Sequence, residues 1–243
     1  MTITAAAAHP TREPELLDDP DLPYPKAERA LAGLARVNWA LFGYRALDRT
    51  LLSRLLASPR RQRLLDLGTS TGEAAAQLAR RARASGVEIG VVGVDRKLTH
   101  LVVGRRRSHP QRRVVADAGA LPFRAAAFDW AASTLFFHHF DGDGNRRVVG
   151  EMRRVAGRAC VIDLRCSPLA RLLARALIPL LGVCRITRHD GALSADRGWL
   201  LPEVRRFAAV LPVDELRRRF PFRFSLVVRG GDQAPGRRRL ADG

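Results

Sequence analysis

Acids at the ends of apolar runs, and a glycine-punctuated turn beside the first of them, are the residues of this chain whose spacing can hold a ligand. Leu64 to Leu67 is a short apolar run interrupted only by Asp66; Gly68-Thr69-Ser70-Thr71-Gly72 follows, then Glu73 and an alanine-rich stretch. That order reads as strand, tight turn and helix. Glycine suits such a turn because, without a Cβ, it takes positive φ and lets the backbone approach a ligand, while the helix start behind it offers unpaired N–H groups. Two phosphate-binding turns are disfavoured. No lysine stands near Gly72, as G-x-x-x-x-G-K-[ST] requires, and Ser70 and Glu73 occupy the second and third glycine positions of G-x-G-x-x-G.

Further along, the apolar run Val87 to Val94 ends in Asp95, and Val114-Val115-Ala116 ends in Asp117-Ala118. A carboxylate in such a place can accept two hydrogen bonds at once. Six histidines are available for proton transfer, for which imidazole is the best-suited side chain near neutral pH. His9 lies in a polar head, and His100 and His109 flank a surface helix. His138 and His139 follow an apolar strand on the same rim as the acids, with only one of the two able to face a ligand. His189 stands between Arg188 and Asp190.

Taken in order, four segments resemble the successive motifs of class I S-adenosylmethionine-dependent methyltransferases, of the small-molecule type found in quinone and polyketide biosynthesis. They are Asp66-x-Gly68-x-Ser70-x-Gly72, Asp95, Asp117 with Leu121-Pro122-Phe123, and the run from Phe128-Asp129 through Leu135 to His138-His139. The resemblance is close from Gln62 to Leu164 and loose in the flanks. It implies S-adenosyl-L-methionine as cofactor, with Asp95 on the ribose hydroxyls and Asp117 on the adenine amino group. The implied cofactor set is Asp66, Gly68, Thr69, Ser70, Gly72, Asp95, Arg96, Asp117, Ala118, Ser133, Thr134 and Leu135. One position departs from the pattern: the middle glycine is Ser70, so the turn either keeps negative φ there or accepts the strain of a side chain in the left-handed region. The general base is expected to be His139 or His189. Asn38, Trp39, Phe42 and Tyr44 are expected to face the acceptor, because N-terminal helices lid the site in related enzymes, and His138 and Arg188 are expected to join them. No metal is expected.

These residues need a scaffold that brings strand ends together. Apolar runs alternate with helical stretches from Arg63 to Leu164, which demands parallel pairing with right-handed crossovers. The expected fold is α/β: a doubly wound, mostly parallel sheet, of seven strands on the methyltransferase resemblance and Rossmann-like, with an antiparallel C-terminal hairpin and an N-terminal helical lid. Residues 1–25 read as disordered or extended and 26–58 as two amphipathic helices hinged near Gly43. Residues 59–229 form the domain, with a substrate-side insertion at about 167–199, where Pro168 to Cys184 is an apolar helix and Arg185 to about Ser194 a polar turn. Residues 230–243 are a disordered tail.

At 243 residues the chain suits one domain. Cys160, Cys166 and Cys184 lack metal or redox spacing, which points to a reducing compartment. The net charge of +18 invites a nucleic-acid partner, yet arginine is spread over routine helix faces and its densest runs, such as Arg105-Arg106-Arg107, lack interleaved aromatics. A solvated basic surface is the preferred reading. No leader is visible in Met1 to His9, and the apolar stretch Leu169 to Cys184 is interrupted by Arg171, Arg175 and Pro179 and is too short to span a bilayer. The expectation is a cytoplasmic enzyme, open to contact with a membrane surface, that methylates a lipophilic hydroxylated aromatic or quinol, on oxygen in preference to carbon. The alternatives are an RNA methyltransferase and a cofactor-binding domain without catalysis; oligomeric state is not readable.

Overall fold

A computed structural model describes residues 13–231 apart from 42, 59 and 108–111. The apolar runs become seven strands of one sheet: β1 (Gln62–Leu67), β2 (Ile89–Asp95), β3 (Arg112–Val115), β4 (Phe128–Thr134), β5 (Ala156–Leu164), β6 (Val213–Arg219) and β7 (Arg223–Arg229). Their order is β3-β2-β1-β4-β5-β7-β6. The first five pair in parallel, and β7 runs antiparallel between β5 and β6. Strand order reverses between β1 and β4, so a crevice opens beyond their carboxyl ends. The expected seven-stranded Rossmann-like sheet with its antiparallel hairpin is the fold observed.

Helices α1 (Tyr24–Ala40), α2 (Arg45–Leu56), α3 (Glu73–Ala84), α4 (Leu98–Arg106), α5 (Gly142–Val155), α6 (Pro168–Leu180), α7 (Arg185–Asp196) and α8 (Leu201–Ala209) surround the sheet. Local signals start two of them. Asp141 accepts from the Gly144 N–H ahead of α5, and Ser167 accepts from the Ala170 N–H ahead of α6, where Pro168 takes the first helical position. Both sheet faces are buried, which is why the central strands read as continuous apolar runs rather than alternating ones. On one face Leu65, Leu67, Ala131 and Val161 pack under Val148, Val149 and Met152 of α5 and Val204 and Phe207 of α8. On the other, Leu64, Trp130 and Ile162 pack under Leu47, Leu51 and Leu55 of α2 and Leu78 of α3.

The two N-terminal helices therefore divide the work expected of a lid. Helix α2 covers the sheet, whereas α1 leans over the crevice: its Ala30 and Leu31 pack with Leu17 and Val103, and its Val37 packs with Ala174 and Ile178 of α6. A Cβ on Gly33 would stand 2.4 Å from the Thr187 hydroxyl, so only glycine allows α1 and α7 to approach this closely.

Two expectations are corrected. Arg185 to Ser194 is helical, not a turn. Its inward positions Thr187, Asp190 and Leu193 are spaced three apart and buried, but two are polar, so hydrophobic periodicity did not reveal them. The described end of the N-terminal segment, residues 13–23, is also structured: Leu16–Asp18 form a 3-10 turn and Leu17 is buried. Residues 1–12 and the tail from 232 lie outside the described residues. No helix among those described is long and apolar enough to cross a membrane.

Candidate active site

A cavity of about 1290 Å³ sits at the carboxyl ends of the central strands, more than one drug-sized ligand needs. Asp66, Gly68, Thr69 and Ser70 reach it from the end of β1, Asp95 and Arg96 from β2, Asp117 and Ala118 from beyond β3, and Thr134 and Leu135 from β4. Ten of the twelve expected cofactor residues thus share one wall. Ser133 does not line the cavity: alternation along β4 turns its side chain into the sheet packing, where it is fully buried. Gly72 is likewise not on the wall. It caps α3 with a φ of 91° and shapes the turn from behind.

The turn is tight for a stated reason. Gly68 has a φ of 66°, and a Cβ there would stand 2.4 Å from the Phe136 ring. Ser70 adopts a φ of 51°, so the chain accepts the strain, on the order of 1–3 kcal/mol for a non-glycine residue. In return the Ser70 N–H points at the Asp95 carboxylate, 2.9 Å away. Leu135 and Phe222, with φ of 57° and 47°, also line the cavity, concentrating backbone strain around it. Burial pushes Asp95 up, but hydrogen bonding and charge from His100, with the backbone N–H groups of Lys97 and Ser70, bring it below the usual carboxylate range. Asp66 goes the other way. Complete burial, against a hydrogen bond from Thr69, raises it to about 7, with Asp95 and Glu73 adding to the rise.

Above this wall stands a histidine–carboxylate pair. His138 Nδ1 lies 2.7 Å from Asp163 Oδ1, and the His138 backbone N–H donates to Asp163 Oδ2 at 2.9 Å. Both groups are buried. Burial alone would lower the His138 pKa, and the Asp163 charge and hydrogen bond raise it instead. Asp163, itself pushed up by burial, is held down by His138. With Nδ1 engaged, the free ring atom is Nε2, which is buried and has no hydrogen-bond partner among the described residues.

A family model described as a methyltransferase domain matches residues 64–158, the strands and turns just described. This stretch of the chain is similar to a methyltransferase domain. Demethylmenaquinone methyltransferase of Thermus thermophilus is 34% identical over 134 residues, which are 50% of this chain and 58% of that relative, so the match spans little more than half of the relative's length. A SAM-dependent methyltransferase from Aquifex aeolicus shares the fold at 13% identity, with a TM-score of 0.53 over 82% of this chain and 97% of that one. Magnesium protoporphyrin IX methyltransferase from Synechocystis, solved with bound SAH, shares it at 12% identity, with a TM-score of 0.52 over 78% of this chain and 84% of that one.

The remaining expected residues are placed unevenly around the cavity. His139 lines it beside His138, and enclosure together with the neighbouring His138 holds it neutral, pushed down to about 3. His189 does not reach the cavity. It bridges Glu13 and Asp190, at 3.0 and 2.9 Å, because adjacent helix positions diverge and Gly191, Ser194 and Ala195 form the inner face of α7 instead. Arg188 and Trp39 are also off the wall: Arg188 is exposed, and Trp39 is 73% exposed on the outer side of α1. From the same region Asn38 and Tyr44, both expected at the site, line the cavity, together with Leu41. Phe42 lies outside the described residues.

The N-terminal segment supplies what sequence reading missed. Leu16 and Leu17 donate their N–H groups to Asp190 at 2.9 and 3.0 Å, and Asp18 pairs with Lys97 at 2.7 Å and Arg96 at 3.2 Å. Residues 13–18 thereby form a strap from α7 to the start of α4, across the mouth of the cavity. Arg96, expected on the cofactor, is one of its fastenings. The strap carries Glu15 into the cavity, where it accepts from the Ser194 hydroxyl at 3.1 Å and lies 3.8 Å from His139 Nδ1. Burial raises its pKa. Glu15 and Asp163 carry no motif signal, since neither belongs to a recognisable spacing; the acid-rich head and an acid near the end of a strand were the only hints.

Proposed function

We propose that the chain transfers the methyl group of S-adenosylmethionine to a lipophilic, hydroxylated aromatic or quinol acceptor, with His138 taking the acceptor proton. The observation that carries this reading is one cavity with two unlike halves. Asp66, Asp95 and Asp117 edge its lower wall, and Leu34, Leu41, Leu173 and Ile178 close its upper part. The lower wall fits an adenosyl ligand. Asp95 is ionised and keeps lone pairs for the ribose hydroxyls, Asp117 is placed for an exocyclic amine, and Gly68 leaves room where a Cβ would meet Phe136. When bound, the cofactor supplies an electrophilic methyl on a sulfonium centre.

The chain's part is positioning and proton removal. Holding two reactants in line contributes up to ~7–11 kcal/mol of barrier reduction. An apolar upper chamber formed by α1, α6 and α7 orients a flat hydrophobic acceptor and excludes water. Asp163 fixes the His138 tautomer with Nε2 as the accepting atom, and raises its basicity. A positioned base contributes typically ~100- to 10,000-fold. Removing a phenolic proton prepares the oxygen for methylation and equally activates a neighbouring ring carbon, so the pair serves either atom; oxygen is preferred here because it is the atom deprotonated. A quinone-type acceptor accords with the name of the Thermus relative.

The test is incubation with labelled S-adenosylmethionine and a panel of phenols, naphthols and reduced quinones, with the product located by mass spectrometry. Transfer to a hydrophobic quinol, lost in His138→Ala, is expected. Transfer to RNA alone, suppressed by salt, would replace this reading with the nucleic-acid one.

A further inference from the structure

We propose that the outward face of α6, with the adjoining β6–β7 turn, docks on an anionic lipid bilayer and opens the cavity directly to it. The proposal rests on the lipophilic-acceptor reading for its purpose, but not for its evidence.

Helix α6 is apolar on both sides. Ala170, Ala174 and Ile178 are buried inward, as a covering helix requires. The opposite side should be polar, yet Leu169 is 53% exposed, Leu172 63%, Leu177 37% and Leu180 79%. Leu169, Leu172 and Leu180 fall within about 80° of one another around the helix, and Leu177 flanks them on the cavity side. Scattered single leucines need no explanation, but a contiguous stripe does. This one runs to the cavity entrance: Leu169 and Leu177 line the cavity, and so does Phe220, 75% exposed at the tip of the β6–β7 turn. The backbone joins the two parts, since the Arg165 N–H at the end of β5 donates to the Phe222 carbonyl at 2.7 Å.

Charge identifies the occupant. On α6 itself, Arg171 and Arg175 share the single carboxylate of Asp196. At the entrance, Arg165 is close enough to Arg218 to feel its charge, and neither meets a carboxylate among the described residues. Unpaired cations beside an exposed aromatic and a leucine stripe match lipid phosphates lying over acyl chains. A second copy of the chain fits poorly. A two-fold contact through this face would press Arg165 and Arg218 against their own copies, in a chain already carrying +18.

The test is cosedimentation of the full chain with phosphatidylcholine vesicles, and with vesicles containing phosphatidylglycerol, at low and high salt. The comparison variants are Leu172→Glu/Leu180→Glu and Arg218→Glu, whose positions lie off the cavity wall. Partition onto the anionic vesicles is expected to exceed that onto the neutral ones. It should fall by at least ~10-fold in the double variant and roughly 5-fold in Arg218→Glu, while S-adenosylhomocysteine binding and turnover on a water-soluble short-chain quinol stay unchanged. Wild-type protein left in the supernatant overturns the proposal. So does binding that both variants retain, which would assign attraction to diffuse charge. A dimer that the double variant splits assigns the face to a second copy and overturns it as well. Vesicle binding without turnover on any quinol would remove the acceptor reading and leave the docking face standing.

Discussion

At the scale of single residues, the buried His138–Asp163 pair gives the sharpest expectations. His138 has a raised pKa, so its protonated form stabilises the fold below the ordinary histidine value of about 6.5. That contribution is lost as pH rises through the raised value. Catalysis needs the neutral ring, so turnover should rise over that same window, above the ordinary value. Asp163→Asn removes the charge responsible, and the rising limb should move to lower pH while turnover falls; a pH–rate profile of the two proteins checks it. His138→Ala should lose ~100- to 10,000-fold in turnover with cofactor affinity intact, whereas His189→Ala should retain activity; two equally impaired variants would contradict the geometry. On the opposite wall, Asp95→Ala removes an acceptor from a mostly buried position. Calorimetry should show cofactor affinity weakened by about 1–3 kcal/mol.

At the scale of elements, the strap and α7 act together. Asp190 is buried, and its two oxygens hold the Leu16 and Leu17 N–H groups. Asp190→Ala should therefore free residues 13–18, seen as faster amide exchange at Leu16 and Leu17 and as lost protection of Glu15. The core strands should exchange as before, since local opening need not involve the global transition. His189 adds a pH dependence with a definite sign. Hydrogen bonds that His189 donates to Asp190 and Glu13 raise its pKa, so the fastening is complete below the ordinary histidine range and weakens as pH rises through the raised value. Exchange at Leu16 measured at two pH values, in wild type and His189→Ala, reads it directly; a pH response unchanged in the variant would place the switch elsewhere.

At the scale of the whole molecule, the cavity joins α1, α6, α7, the strap and four strand ends. A ligand that fills it should raise the melting temperature of the entire chain. S-adenosylhomocysteine at ~100 times its Kd should add about 2.7 kcal/mol, a rise of roughly 5–10 °C for a domain of this size. Sequence alone determined the sheet, its parallel pairing and which residues meet on one rim, because strand-ending acids and the Gly68–Gly72 turn are local patterns and the switch-point rule gathers them there. Sequence alone did not determine which histidine on the cavity gains a carboxylate partner. His138 and His139 are neighbours of one residue type, and only the distant Asp163 on β5 tells them apart. Nor could it remove His189 and Trp39 from the site, or bring Glu15 into it: those outcomes follow from how α1 and α7 rotate as they pack around Gly33, and helix rotation is settled by contacts between elements far apart in the chain.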